Sequence, residues 1–407
     1  MKDKRTQRFL ILLCWLVYTC AYLGRYSYNA NINLIMSDYG ASHGQAGLVT
    51  TMFFFAYGVG QIVNGILCRF YPKRAVIAGA LCVSSVLNLL VFLDVPFGAI
   101  RFLWLANGAV LSILWSSLVL VLSEHIGKDK LPRAVVVMNT TTAIGNFIAY
   151  ALAGLFASVG SYRLTFLTAA SVMGAVAALW FFCFPAASAG ETFLTGNEKP
   201  AERRKHRPEG LLLAVILMLG VFAVADNLIK DGLHTWIPSV LSEAFSFENG
   251  NSIFMTMALN LLAVLGTYVV TLIHKKIENF VVLSTLLYAV ATAFLAVIVT
   301  FLQSSFAAVF GSFAVVIVAT HAINAVITSM APMYLREKVN PGMLSGVLNG
   351  CCYVGSTISS YGLGALADRS GWNSVFTLLL CIAVAITLCG AAYAALAAFR
   401  KRKHPTA

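Results

Sequence analysis

The chain has 407 residues, of which 59% are hydrophobic and only 11% charged. Apolar runs of about 20 residues recur along its whole length, which excludes a soluble globular enzyme and reads as a polytopic integral membrane protein. The formal net charge of +12 would suit a nucleic-acid binder, but the basic residues are placed as a topology signal: 23 of the 28 Lys and Arg lie before the first span, in the loops after even-numbered spans, or at the C-terminus.

Length and charge-poverty predict twelve spans, at 9–33, 45–68, 75–94, 97–124, 132–158, 162–185, 210–245, 252–274, 279–302, 304–332, 343–367 and 373–399. With the basic loops inside, both termini are expected in the cytoplasm, and a bacterial cytoplasmic (inner) membrane is the simplest setting. The first apolar run is too long for a signal-peptide core and is expected to stay as structure.

Within the first span lies Arg25. A guanidinium near the bilayer centre costs roughly 2.5 kcal/mol or more, so it is expected to face a polar cavity or a partner rather than lipid. Tyr18, Tyr22, Arg25 and Asn29 are spaced by four, three and four residues and share one helix face. Further polar or aromatic candidates for a cavity lining are Tyr57 and Gln61 in span 2, Trp115 in span 4, and Asn139 and Thr142 in span 5.

Residues 186–209 form the one long polar stretch and hold the run Arg203-Arg204-Lys205-His206-Arg207, which reads as a cytoplasmic basic linker between a half at 1–185 and a half at 210–407. A shift of 210 residues lays Asn139 on Asn349, Gly145 on Gly355, Gly154 on Gly364 and Phe166 on Phe376. The halves therefore look like copies of one six-helix unit. Equal orientation would relate them by an axis along the membrane normal, with a substrate cavity between them.

In span 7, Asp226 or Asn227, Lys230 and His234 fall along one stripe, with Asp231 directed elsewhere. Lys230 is thus a second intramembrane cation, on the helix equivalent to the one carrying Arg25. An anion held by both would relieve their repulsion. Alternatively Lys230 pairs with Asp226, because an acid four residues before a Lys is the favoured helical order. Asp226, or His321 in span 10, would serve charge balance or coupling; Asn324 lies three residues beyond His321, and Tyr353 in span 11 is a further lining candidate.

The nine cysteines lack disulfide and metal-ligand spacing and read as packing residues. No P-loop, zinc spacing or nucleophile elbow is present, so neither catalysis nor an organic or metal cofactor is expected. The expected partners are a small anionic substrate and the lipid bilayer, with the chain acting as a monomer.

The loop after span 2 carries Gly65, Arg69, Lys73 and Arg74 in the positions of the pattern G-x-x-x-D-R-x-G-R-R, with Cys68 in place of the Asp and Pro72 in place of the second Gly. With twelve spans in two halves, it resembles the major facilitator superfamily along essentially the whole chain. Within that superfamily, Tyr22-Leu23-Gly24-Arg25 through Asn29, Ala56-Tyr57-Gly58, and Asp368 to Gly371-Trp372 resemble the organophosphate:phosphate antiporter group. The resemblance implies an all-α fold of two six-helix halves, and substrate-binding basic residues at Arg25 and at Lys230 in Ile229-Lys230-Asp231-Gly232. It also implies exchange of an organic phosphate for inorganic phosphate. The chain departs from the glycerol-phosphate members at Thr142, Gln61 and Trp115-Ser116-Ser117, and it adds the acids Asp226 and Asp231. A less cationic cavity keeps two alternatives open, a proton-coupled organic carboxylate symporter and a transporter-like sugar-phosphate sensor.

Overall fold

A computed structural model describes residues 4–127, 130–188, 210–335, 338–339 and 341–403. The described residues are helical and carry no strand. The helices are α1 (Lys4–Ala30), α2 (Ile32–Tyr39), α3 (His43–Leu67), α4 (Lys73–Phe92), α5 (Phe97–His125), α6 (Leu131–Ser158) and α7 (Arg163–Ser188), followed by α8 (Gly210–Phe245), α9 (Asn249–His274), α10 (Phe280–Phe301), α11 (Phe306–Ala325), α12 (Ala331–Tyr334) and α13 (Pro341–Lys403).

Eleven of the described helical segments are long and apolar enough to cross a membrane. The predicted spans 11 and 12 run together in α13, broken only at Gly371, whose φ of 73° and ψ of 172° are not helical. Twelve spans result, the last two joined by one residue instead of a loop. A positive φ there suits glycine, which has no Cβ to clash. From residue 189 onward the predicted linker lies outside the described residues.

Two compact units form. Among the described residues, the first contains those of 4–41, 48–188 and 248–257, and the second those of 42–47, 210–247 and 258–403. Two of the boundaries between the units fall inside helices, one in α3 and one in α9. Paired glycines of the internal repeat have matching roles in the two units. A Cβ on Gly145 of α6 would press on the Thr19 carbonyl and the Tyr22 side chain of α1, and one on Gly355 of α13 would press on the backbone of α8 at Val224 and Leu228. Close backbone approach through small residues is how helices associate in a bilayer, where no hydrophobic force drives them together.

Among the described residues, proline lies inside α7, α8 (Pro238) and the tenth span, and in the first and last of these other groups take over at the interrupted ladder. Pro185 inside α7 cannot donate to the Phe181 carbonyl four residues earlier, and Arg74 Nε donates to that oxygen instead at 2.7 Å while its guanidinium lies 4.0 Å from the Phe181 ring centroid. Lys73 pairs with Glu124 at 3.3 Å. These two motif residues therefore tie the start of α4 to α7 and α5. In the tenth span, Pro332 cannot donate to Thr328. The backbone widens into a π-helical turn over Val326–Met330, the Ala331 N–H reaches the Val326 carbonyl, and Ser345 Oγ donates to the Thr328 carbonyl at 3.1 Å.

Candidate functional site

In the first unit, Arg25 is held by a buried polar network one residue away. The Gly24 carbonyl accepts Asn88 Nδ2 from α4 at 3.3 Å and Asn107 Nδ2 from α5 at 3.1 Å. Ser27 Oγ donates to Asn88 Oδ1 at 2.9 Å, and Ser84 Oγ to Asn107 Oδ1 at 2.6 Å. Both asparagines are fully buried. A Cβ at position 24 would meet the Met173 sulfur and approach the Asn88 amide, so a larger residue there would displace the Met173 side chain from this contact. Satisfied polar networks in low dielectric fix geometry, and this one fixes the turn of α1 from which Arg25 projects.

The Arg25 guanidinium carbon then lies 4.8 Å from the Tyr57 ring centroid, 5.2 Å from Tyr26, 5.3 Å from both Phe53 and Phe54, and 5.6 Å from Tyr22. Five rings from α1 and α3 surround one cation. Their quadrupoles present negative faces to it, and each desolvated cation–π contact contributes on the order of 1–2 kcal/mol. The cage continues outward: Tyr18 and Tyr57 share a hydroxyl hydrogen bond of 3.3 Å, and Trp115 of α5 lies 4.9 Å from the Tyr18 ring.

Tyr22 and Tyr57 are thus brought onto Arg25, and Trp115 onto the neighbouring Tyr18. Asn29, also predicted for this face, is buried and accepts a 3.0 Å hydrogen bond from Thr50 Oγ1 of α3. Gln61 Nε2 donates to the Ser112 carbonyl at 3.2 Å. Thr142 is half-buried on α6, and the side chain of Asn139 lies outside the described residues. Tyr26, Phe53 and Phe54 escaped the sequence reading. The run Phe53-Phe54-Phe55 was the available signal, but aromatic runs in spans are usually packing.

In the second unit, Lys230 of α8 donates to Asn227 Oδ1 at 2.7 Å and stands 3.7 Å from Asp231 Oδ1. The other oxygen of Asp231 accepts the Ser356 hydroxyl of α13. Asp231, the acid predicted to point away, thus stands within ion-pair distance of Lys230, and the Lys230 charge also acts on Asp226. Neighbouring helical side chains diverge by about 100°, but the four-carbon lysine stem spans the difference. Asp226 is fully buried, and neither of its oxygens makes a hydrogen bond of good geometry, although the Asn324 side chain of α11 lies close enough to interact electrostatically.

His234 of α8 and His321 of α11 meet edge to face at 5.2 Å, and His321 Nδ1 lies 2.9 Å from the Ile317 carbonyl, which fixes that nitrogen as the donor. Asn260 of α9 is buried beside them and was missed in the sequence. Tyr353 is half-buried on α13.

Outside the membrane-spanning segments, a third cluster closes one end of the first unit. A single Arg163 Nη2 reaches Asp38 Oδ2 at 2.7 Å and Asp94 Oδ1 at 2.8 Å. The Tyr162 hydroxyl donates to Asp38 at 2.6 Å and the Tyr39 hydroxyl to Asp94 at 2.9 Å. Hydrogen bonds from Tyr162 and Arg163 hold Asp38 below the usual carboxylate range, and bonds from Arg163 and Tyr39 do the same for Asp94. Burial and the Asp94 carboxylate push Tyr39 up to about 12.

The family profile described as Major Facilitator Superfamily matches residues 14–340. Among curated relatives, the membrane sensor protein UhpC of Escherichia coli strain K12 is 30% identical over 101 residues, 25% of this chain and 23% of that protein. Sugar phosphate exchanger 3 of Homo sapiens is 31% identical over 176 residues, 40% of this chain and 34% of that protein. The glucose-6-phosphate exchanger SLC37A2 of Xenopus tropicalis is 26% identical over 144 residues, 34% and 28% of the two chains. Each match spans about a third or less of the relative's length. Among solved structures, a bacterial homolog of the human lysosomal transporter Spinster, inward-facing and occupied, aligns with a TM-score of 0.77 at 14% identity over 97% of both chains. The nucleoside transporter NupG aligns with a TM-score of 0.71 at 12% identity. These likenesses show the fold. With its twelve apolar helical spans and a family match over most of its length, the chain belongs to the Major Facilitator Superfamily of membrane transporters.

Proposed function

We propose that this transporter exchanges a small organic phosphate, of the sugar-phosphate kind, for inorganic phosphate by alternating access. The observation that carries the reading is the Arg25 guanidinium, deep in the first span and enclosed by five aromatic rings. Arginine stays charged in proteins and offers a planar fork that matches phosphate oxygens. Arg25 is the primary anion anchor, and Lys230 is the second basic group. The names of the relatives, two of them sugar-phosphate exchangers and one a sensor, support the substrate class. In this reading both termini face the cytoplasm of a bacterial inner membrane, inorganic phosphate is the counter-substrate, and the chain works as a monomer.

A second reading rests on Asp226. A fully buried carboxyl without a hydrogen bond of good geometry is costly as an anion and far less so as an acid. Proton-coupled symport of an organic carboxylate would use such a group, with His321 as a further candidate.

The deciding experiment is counterflow in proteoliposomes preloaded with radiolabelled phosphate. Efflux stimulated by external hexose phosphate or glycerol phosphate, and lost in Arg25→Gln, is the expected result. Efflux unaffected by Arg25→Gln would overturn the anchor role. Uptake of a carboxylate driven by a pH gradient, with no phosphate exchange, would replace the first reading by the second. Binding of a sugar phosphate without movement of either would mark a sensor.

A further inference from the structure

The first turn of α3 carries a cluster independent of the Arg25 and Lys230 environments. His43 Nδ1 lies 2.7 Å from Asp368 Oδ1 of α13, and His43 Nε2 lies 2.7 Å from Glu243 Oε1 near the end of α8. Asp368 also accepts the backbone N–H of His43 at 3.0 Å and of Gly44 at 2.8 Å, so it caps α3 from another helix. Trp372 Nε1 donates to the second oxygen of Glu243 at 2.8 Å. The imidazole packs against two indoles that also touch each other, 5.5 Å from Trp236 and 5.2 Å edge-on to Trp372, with 5.8 Å between the indoles. Gly371 turns the chain so that Trp372 can reach back, and Gly364, where a Cβ would press on the His43 carbonyl and the Trp236 ring, lets α13 approach. All of these residues belong to the second unit.

An ionised carboxylate only accepts hydrogen bonds, whereas a neutral imidazole has one N–H and one lone pair. Two carboxylates, one on each ring nitrogen, are satisfied together only by the imidazolium. The titratable groups facing His43 are Glu243 from α8 and Asp368 from α13, and the rest of the α3 first turn, Ser42 to Gly47, contains none.

We propose that His43 is a proton-binding site whose occupancy latches the first turn of α3 to α8 and α13. With the proton bound, the imidazolium bridges two acids at the boundary of the membrane. Without it, one ring lone pair faces a carboxylate and the bridge becomes repulsive. The imidazolium bridge holds on the acidic side of the His43 titration and is released on the alkaline side, where Asp368 keeps its two backbone N–H bonds and the bond between His43 and Glu243 is the one given up. The inference stands whatever the transported anion is.

Intrinsic fluorescence of the full-length protein in nanodiscs, titrated with pH, tests it directly, because an imidazolium quenches an adjacent indole. Trp236 and Trp372 are two of six tryptophans, so the wild-type protein should brighten in one step as the pH rises. His43→Gln should remove that step while eluting as wild type on gel filtration. Glu243→Gln changes a residue that is nearly half-exposed and should fold; it should move the step toward acid by about one pH unit or more, since one of the two anions holding the proton is gone. No step in the wild type, a step that survives His43→Gln, or one that Glu243→Gln leaves in place would overturn the proposal. Should His43→Gln fail to fold, the Glu243→Gln shift still decides.

Discussion

The two intramembrane cations are stabilised by opposite means. Arg25 is enclosed by ring faces, which favour a positive charge without supplying a negative one, whereas Lys230 is held by the Asn227 amide oxygen and the Asp231 carboxylate. An anion arriving at Arg25 adds to what the rings provide. At Lys230 it must compete with Asp231. Equal charge in equivalent spans therefore does not make equal surroundings: ring faces stand over one cation, and an amide oxygen and a carboxylate stand beside the other.

The largest effect should come from breaking the first side of that contrast. Arg25→Gln should lower substrate affinity by on the order of 100-fold or more, the loss typical of truncating a buried charged partner. Arg25→Lys should recover little, since an ammonium cannot present a planar fork while lying against five rings; isothermal titration with substrate measures both. Recovery to near wild type by lysine would show that charge alone matters there.

Next in size is the second side. Lys230→Gln should lower the melting temperature, because it leaves Asp231 buried beside Ser356 without its cation. Adding Asp231→Asn should restore most of the loss, and adding Asp226→Asn should restore little. The reverse order in a thermal-shift series would reinstate Asp226 as the partner.

A smaller effect concerns the extramembrane staple of the first unit. Asp38 and Asp94 titrate below their unfolded range, so their contribution is present at neutral pH and lost as pH falls through the folded values. Melting temperature should therefore drop on the acid side in wild type and flatten there in Arg163→Gln. The smallest effect is expected from Tyr57→Phe, which keeps the ring over Arg25 and removes only the hydroxyl bond to Tyr18; affinity should change by about threefold or less.

The spans, the basic residues and the face carrying Arg25 were legible because hydropathy, charge placement and the 3.6-residue period are local properties of a sequence. What surrounds those residues was less so. The Asp231 pairing depends on Ser356, 125 positions away, and the helical spacing rule favoured Asp226. Asn88 and Asn107 look like ordinary polar residues in apolar runs until they converge on the Gly24 carbonyl. His43 sits at a predicted span boundary and acquires its two carboxylates from elements 200 and 325 residues away. Asp368, singled out by the family resemblance, had no physical role until the start of α3 was seen resting on it.

The π-helical turn before Pro332 has a consequence for how this span tolerates change. One extra residue per turn is worth about 100° of rotation, so the stretches on either side of Val326–Met330 are out of phase with a continuous α-helix. Deleting a single residue there would restore the ordinary spacing and swing everything beyond it around the axis. In this span a deletion acts as a rotation and only secondarily as a shortening, and labelling of single cysteines placed before and after the turn should trace two stripes offset by one position.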